Sequence, residues 1–147
     1  MLVNLIYTDG ACEPNPGHGG WGFTVTNEAG ATHDSFGGES QTTNNRMEMT
    51  AILQAMRWLP DGAAAKIHSD SRYCINGLTV WRDGWKRKNW MRKGGPMLNR
   101  DLWLELEREQ ARVRVEFVWV RGHNGNQGNE RADELASIGR LQTMRKA

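Results

Sequence analysis

The sequence predicts a mixed α/β fold, in which an antiparallel meander continues into parallel strands and helices pack on the sheet. Three strand-like segments with short connections follow one another over residues 2–38, which is typical of a meander. From residue 43 onward, helical and strand-like periodicities alternate. A strand, a helix and a strand in succession imply a right-handed parallel crossover. The 147 residues fit one domain and are enough to bury a core.

The first predicted strand, LVNLIYTD at residues 2–9, is mostly apolar and ends on the acid Asp9. Such a run indicates a strand that is buried on both faces and is therefore central in the sheet. A turn rich in Gly and Pro, EPNPGHGG, follows it. The segments WGFTVTN (21–27) and ATHDSFGG (31–38) complete the predicted meander.

A helix is predicted over residues 43–59, because apolar residues recur there at helical spacing. Thr and Asn residues at its start offer capping oxygens, and a Pro-Asp-Gly turn ends it. A short strand, AAAKIHSD (63–70), then ends on a second acid, Asp70. Residues 71–78 are predicted to form a second helix, which begins at an Asp-Ser cap.

The last third of the chain is predicted to form a helix, a strand and a second helix. The first of these helices runs through Ala111, which is predicted to face inward together with Leu102, Trp103 and Leu106. Apolar residues alternate over 113–120, VRVEFVWV, which indicates a strand with these residues on one face. A loop rich in Gly and Asn leads to a helix over 130–139, and we expect a frayed tail over 141–147.

Composition indicates a protein of a reducing, aqueous compartment. The 19 Lys and Arg residues nearly balance the 17 Asp and Glu residues, and the net charge of +2 favours no class of partner. The two cysteines, Cys12 and Cys74, form neither a zinc motif nor a disulfide framework. No apolar run approaches the ~18 residues of a membrane span, and the N-terminus lacks a signal-peptide pattern. We therefore expect a cytoplasmic protein.

Four acids are candidates for a shared metal site. Asp9 and Asp70 follow predicted parallel strands, at the sheet edge where ligands bind in open α/β folds. Glu48 and Asp133 lie early in two predicted helices. Clustered carboxylates repel one another unless a cation neutralises them, and hard oxygen ligands favour Mg²⁺ or Mn²⁺. Each acid taken singly also fits a turn or a helix terminus, and the spacing leaves both interpretations open.

Four motifs surround these acids in order: TDGACEPNPG, TTNNRMEM, DSRY and WVRGHNGNQGNERADELA. Together they resemble type 1 ribonuclease H in its bacterial form, over nearly the whole chain. The resemblance implies a five-stranded mixed sheet flanked by helices, with a single ribonuclease H domain over residues 1–147 and a basic protrusion at about 81–100. It also implies endonucleolytic hydrolysis of the RNA strand of an RNA–DNA hybrid, with 5′-phosphate and 3′-hydroxyl products.

The resemblance also assigns roles to individual residues. The metal-binding carboxylates are Asp9, Glu48, Asp70 and Asp133, which hold one or two Mg²⁺ ions, with Mn²⁺ as a substitute. His123 matches a mobile loop histidine that assists proton movement or product release, and it completes the catalytic set. The substrate-binding positions comprise Cys12, Asn15, Thr43, Asn44, Asn45, Arg46 and Arg72. Position 72 departs from the bacterial pattern, which has Gln there.

Residues 81–100 form a basic segment that is rich in tryptophan. Seven Lys and Arg residues lie between positions 82 and 100, against one acid. We expect this charge cluster to bind phosphates, as the basic protrusion of bacterial family members does. Its expected substrate contacts are Trp81, Trp85, Lys86, Arg87 and Lys88. The tryptophans have an alternative role, since large aromatic side chains usually anchor packing.

Two other functions compete with a nuclease specific for hybrids. A carboxylate site of this kind would also serve a related polynucleotidyl transferase or a nuclease of different specificity. A non-catalytic module that binds hybrids is the third candidate, although the presence of all four acids argues against it. The expected partner is an RNA–DNA hybrid duplex, with no membrane and no obligate protein partner, and the expected state is a monomer.

Overall fold

The computed structural model describes residues 3–145 and is built around a five-stranded mixed sheet. The strand order is β3-β2-β1-β4-β7, with β1–β2 and β2–β3 antiparallel and β1–β4 and β4–β7 parallel. The prediction of a meander joined to parallel strands is confirmed. The strands are β1 (Val3–Cys12), β2 (Gly17–Asn27), β3 (Thr32–Thr42), β4 (Ala64–Ser69), β5 (Met91–Arg92), β6 (Gly95–Pro96) and β7 (Arg114–Trp119).

Five α-helices accompany the sheet in the described chain: α1 (Asn44–Trp58), α2 (Arg72–Asn76), α3 (Arg82–Arg87), α4 (Arg100–Gln110) and α5 (Gln127–Arg145). A π-helical turn, Gly77–Trp81, joins α2 to α3. None of the helices within residues 3–145 is both long enough and apolar enough to cross a bilayer.

Helices α1 and α5 lie on opposite faces of the sheet. Glycines on adjacent positions of β2 show this, because a Cβ added to Gly19 would meet Met47 of α1, whereas one added to Gly20 would meet the backbone of α5. The core fills the α1 side of the sheet, where α4 packs on α1. Its most deeply buried members include Ile6, Ile52, Met56, Ile67, Trp103 and Leu106. Strand β1 is central, as predicted, although Leu5 is 42% exposed.

The last helix is longer than predicted at both ends. Its start is capped by Asn126, whose side chain accepts from the backbone N–H of Asn129 at 2.9 Å, so the cap lies inside the segment predicted as loop. The helix then continues to Arg145 instead of fraying from residue 141. Its C-terminal half packs closely on the sheet, where Gly139 meets Gly37 and Thr143 contacts the ring of His18 at 2.9 Å. The expected fraying of residues 146–147 lies outside the described residues, as does position 2 of the first strand.

One smaller prediction about an inward face is wrong. Ala111 follows the end of α4 and is exposed, because the helix stops at Gln110. Trp119 ends the edge strand β7 and is 38% exposed. Only β4 flanks β7 in the sheet, so its last residue is not covered on both sides.

Candidate active site

Three of the four predicted carboxylates meet at one edge of the sheet. Asp9 lies in β1, Glu48 in the second turn of α1, and Asp70 directly after β4. One carboxylate oxygen of each lies within 4.8 Å of the other two. Asp9 and Glu48 are 6% and 8% exposed, and Asp70 is half-buried. Because β1 and β4 are parallel neighbours in the sheet, their ends bring together acids that are 61 residues apart in the chain.

Gly10 fixes the approach of α1 to β1. A Cβ at this position would meet the backbone of Met47 and Glu48, so only glycine lets the helix start come this close. The N–H of Gly10 donates to Asp9 Oδ1 at 2.9 Å and also to the Glu48 carboxylate. One backbone donor thus binds two acids and sets their separation.

Burial makes this cluster electrostatically unfavourable for anions. The pKa of Asp9 is raised to about 7, chiefly by burial and also by the charge of Asp70, against the lowering effect of hydrogen bonds from Glu48 and Gly10. The pKa of Glu48 is raised well above its usual range, first by burial and then by its contact with Asp9. A divalent cation would remove this penalty, and a set of carboxylate oxygens is the donor chemistry that hard cations select. The residues present therefore fit a metal.

Asp133 and His123 line the same cavity, which has a volume of about 520 Å³. Asp133, on α5, is close enough to Asp9 to contribute to its raised pKa through a side-chain hydrogen bond. His123 is exposed and has a left-handed backbone, with φ 54°, in the loop between β7 and α5. The preceding Gly122 lies against the carboxylate of Asp70, where a Cβ would come within 2.7 Å of Oδ2. All five predicted catalytic residues thus border one space.

The predicted substrate-binding residues near α1 are mostly engaged with one another. Thr43 caps α1 and accepts from the N–H of Arg46 at 3.2 Å. Asn15 accepts from the N–H of Asn44 at 3.1 Å. Two backbone N–H groups at the start of α1, those of Asn44 and Arg46, therefore already have side-chain partners. Arg46 forms an ion pair with Asp101 at 2.7 Å. Of this group, Asn44, Asn45 and Cys12 line the cavity, and Cys12 is itself buried, with its thiol against three backbone carbonyls.

The basic segment packs through its tryptophans and exposes most of its cations. The indole of Trp85 lies 5.1–6.2 Å from those of Trp81, Trp90 and Trp103, measured between ring centroids. Trp90 is 4% exposed and has a left-handed backbone, with φ 57°, an uncommon conformation for a bulky residue. The packing role of the tryptophans is therefore present in the structure, while Trp81 keeps 41% of its surface exposed.

The three cations predicted as contacts differ in their surroundings. Lys86 pairs with Glu107 at 3.0 Å. Arg87 is exposed at the end of α3. Lys88 borders a second cavity of about 680 Å³, beside Trp85 and Tyr73.

Several residues that were not predicted also border the site. Ser137 and Arg140 line the cavity, and the spacing Asp133, Ser137, Arg140 places all three on one face of α5, a pattern that was readable in the sequence. Asn129 is 2% exposed, and its amide lies 3.5 Å from Asp70 Oδ2. The indole N–H of Trp119 donates to the backbone carbonyl of Asp70 at 3.1 Å, a contact for which the sequence carries no signal.

A sheet whose parallel strands lead into a cluster of carboxylates is the architecture of an enzyme that works with divalent cations. The RNase H family model matches residues 3–140. The chain belongs to the ribonuclease H family, as the sequence motifs predicted.

Similar proteins agree with this assignment. The chain is 47% identical over 141 residues to a ribonuclease H of Thiobacillus denitrificans, covering 95% of each protein. It is 45% identical over 143 residues to a ribonuclease H of Methylorubrum extorquens, covering 97% of this chain but only 62% of that longer protein.

Two solved structures have the same fold. The crystal structure of LC9-RNase H1, a type 1 RNase H with the type 2 active-site motif, superposes with a TM-score of 0.87 at 32% identity and covers 96% of this chain and 73% of that one. The crystal structure of LC11-RNase H1 in complex with RNA/DNA hybrid gives a TM-score of 0.71 at 24% identity, covering 96% of this chain and 99% of that one. The second likeness concerns the fold alone.

Proposed function

We propose that this protein is an endoribonuclease that hydrolyses the RNA strand of RNA–DNA hybrids and leaves 5′-phosphate and 3′-hydroxyl ends. The observation that carries the proposal is the convergence of Asp9, Glu48 and Asp70 within 4.8 Å at one sheet edge of a ribonuclease H family member. An acidic cluster in an open cleft suits metal-assisted cleavage of a phosphodiester.

The proposed metal ligands are Asp9, Glu48, Asp70 and Asp133. They would hold Mg²⁺, as one ion or two, or Mn²⁺ in its place, because these cations prefer carboxylate oxygens. When bound, the cation polarises the phosphoryl group and stabilises the charge that develops during displacement. The carboxylates would hold it, and the Gly10 N–H fixes two of them, because it donates to both Asp9 and Glu48.

The products define where the proton must go. A water adds to phosphorus, the bond from phosphorus to the 3′-oxygen breaks, and a proton reaches that oxygen to give the 3′-hydroxyl. His123 is exposed at the mouth of the cavity, and the two nitrogens of an imidazole can donate and accept a proton. We assign it the exchange of this proton with the solvent. Its glycine-flanked loop, with Gly122 and Gly125, lets the ring approach and leave.

Substrate selection is assigned to the amides beside the cavity. Asn44 and Asn45 are exposed at the start of α1, and an amide both donates and accepts, as recognition of a 2′-hydroxyl requires. The wide minor groove of an A-like duplex displays these hydroxyls. Residues 86–88 and Trp81 then contact the DNA strand further from the cut, through charge and an exposed ring.

The proposal includes a single ribonuclease H domain, a monomeric state and a cytoplasmic location. Support for a monomer comes from the site, because all its acids belong to one chain. Free thiols at Cys12 and Cys74 suit a reducing compartment. Light scattering at the concentration used for cleavage would test the state, and a dimer whose dissociation abolishes activity would contradict it.

The test is cleavage of three duplexes of the same sequence: an RNA–DNA hybrid, double-stranded RNA and double-stranded DNA. We expect cleavage of the RNA strand of the hybrid alone, in Mg²⁺ and not in chelator. Asp9→Asn should abolish cleavage and leave hybrid binding largely intact. Asp61→Asn is a matched control, since Asp61 lies in the turn before β4, at the opposite end of that strand from Asp70.

Other outcomes would replace the proposal. Equal cleavage of double-stranded RNA or DNA would indicate a nuclease of different specificity. Hybrid binding without cleavage in any divalent cation would indicate a binding module. Full activity of Asp9→Asn would end the metal assignment.

A further inference from the structure

Trp119 contacts two functional groups at once. Its indole N–H donates to the backbone carbonyl of Asp70 at 3.1 Å. The guanidinium carbon of Arg72 lies 4.0 Å from the centroid of the same ring. Trp119 ends β7, so it stands beside the site but does not line the cavity.

The hydrogen bond from the indole N–H to Asp70 continues the pairing of β4 with β7 by one residue. The register of β4 and β7 ends with Ser69 opposite Trp119, and the N–H of Val120 donates to the carbonyl of Ser69 at 2.9 Å. Asp70, the next residue of the chain, has no backbone partner on β7 in this register, and the indole takes that place. The backbone that carries a metal-binding carboxylate is therefore fixed by a side chain of the neighbouring strand.

The ring face determines where the guanidinium of Arg72 lies. Stacking on an indole leaves the in-plane N–H groups of a guanidinium free, and these are the donors that bind a phosphate. Within residues 3–145, Arg72 makes no ion pair, whereas Arg46 is bound by Asp101. Arg72 directly follows Asp70 and Ser71, both of which line the cavity, and is itself exposed next to that lining.

We infer that Trp119 is a positioning residue for both groups, and that the Arg72 guanidinium held on it binds a backbone phosphate of the nucleic acid beside the cleaved bond. The inference rests on the proposed function and adds to it a phosphate contact and the side chain that orients it. A phosphate contact, unlike a hydrogen bond to a base edge, carries no sequence preference.

The first experiment tests the phosphate contact with Arg72→Gln and its matched control Arg114→Gln. Both changes remove one positive charge, and Arg114 is exposed at the far end of β7. Hybrid binding is measured in chelator over a range of salt concentrations. We expect Arg72→Gln to weaken binding about tenfold and to reduce the salt slope by about 1, with Arg114→Gln close to the parent protein. Equal slopes for the two variants would overturn the assignment of Arg72.

The second experiment separates the two contacts of Trp119. Trp119→Phe keeps a ring face and loses the N–H, so we expect kcat to fall about threefold to tenfold, the half-saturating Mg²⁺ concentration to rise, and KM to stay nearly constant. Trp119→Leu also loses the ring face and should raise KM a further twofold to fivefold. That further rise should vanish in the Arg72→Gln background, because the ring then has no guanidinium to orient.

Thermal melts show whether each variant is folded, and Trp119→Phe remains informative if Trp119→Leu is not. Unchanged kcat and Mg²⁺ dependence in a folded Trp119→Phe would refute the positioning of Asp70. A rise in KM that persists in the Arg72→Gln background would refute the positioning of Arg72. Failure of the parent protein to cleave the hybrid would instead refute the proposed function, and the parent is assayed first.

Discussion

Removing the charge of Asp9 is expected to stabilise the protein when no metal is present. The carboxylate is 6% exposed and shares its pocket with Glu48 and Asp70. Asp9→Asn keeps the oxygen that accepts from Gly10 at 2.9 Å and removes the anion. The variant should therefore lose activity and gain stability, which is the reverse of what a substitution at a packed core position does.

The size of the gain follows from the pKa of Asp9, which rises from 3.8 to about 7 on folding. An acid with a raised pKa in the folded state keeps its proton there at a pH where the unfolded chain has lost it. The free energy of unfolding therefore falls as pH rises from about 4 to about 7. About three pKa units at 1.36 kcal/mol each set an upper limit of ~4 kcal/mol at pH 8. Glu48 acts in the same direction.

The assay is urea denaturation at pH 5, 6.5 and 8 for the parent protein, Asp9→Asn and the control Asp61→Asn, each in chelator and in saturating Mg²⁺. In chelator, the variant should gain most at pH 8 and least at pH 5. A cation at 100 times its Kd would add about 2.7 kcal/mol to the parent and much less to the variant. Equal stability of the parent and Asp9→Asn at pH 8 in chelator would show that the carboxylates are not held as close as the structure has them.

Three further substitutions test other parts of the molecule. Replacing residues 86–88 with Ala should raise KM and reduce the salt slope of hybrid binding while kcat at saturation changes little; an unchanged KM would contradict the phosphate role. Gly10→Ala should lower the free energy of unfolding by about 3 kcal/mol or more and remove most of the activity, because its Cβ meets the backbone at Glu48. The control Gly84→Ala, in α3 with open space around it, should leave the melting temperature unchanged or raise it. Thr43→Ala should lower the free energy of unfolding by about 1 kcal/mol, since it removes the cap of α1. A melting temperature equal to the parent's would count against that role.

The central part of the fold was predictable because its signals are local. The apolar run before Asp9 predicted a central strand, and helical spacing after Thr43 predicted α1 within one residue of its observed start. The boundaries of α5 were not predictable in this way. Its start depends on a cap by Asn126 within a loop-like composition, and its end depends on contacts of Gly139 and Thr143 with the sheet.

The basic segment is the least predictable part of the fold. A π-helical turn, Gly77–Trp81, leads into it, and its residues Asn89 and Trp90 have left-handed backbones. The indole of Trp85 packs against those of Trp90 and Trp103. A Cβ at Gly77 would meet the ring of Trp103, so this turn is shaped by a residue that lies far ahead in the chain. Periodicity in a short window carries no such information.

The candidate site shows the same contrast between local sequence signals and tertiary contacts. Acids at strand ends and helix starts can be found from the sequence, because topology brings those positions to one edge. The groups that contact Asp70 cannot, because Asn129 and Trp119 reach it only through tertiary contacts. Such contacts are individually weak and many residue types could make them, so no motif records them.

The electrostatic cost of the site explains why so many groups support it. Asp9 and Glu48 are held close together by the backbone N–H of Gly10 and by the packing of α1 on β1. Among the described residues that line the cavity, Arg140 of α5 is the only Lys or Arg. A cationic side chain inside the cluster would lower the pKa of Asp9, and it would also compete with a metal for the same oxygens. Arg46 is paired with Asp101 and Arg72 is stacked on Trp119, so neither guanidinium neutralises the carboxylates, which stay free for a metal. Of the two, Arg72 has no ion-pair partner within residues 3–145, and its charge is available to a phosphate. The metal-free protein is then less stable than its core would allow, and the pH profile of Asp9→Asn measures that difference directly.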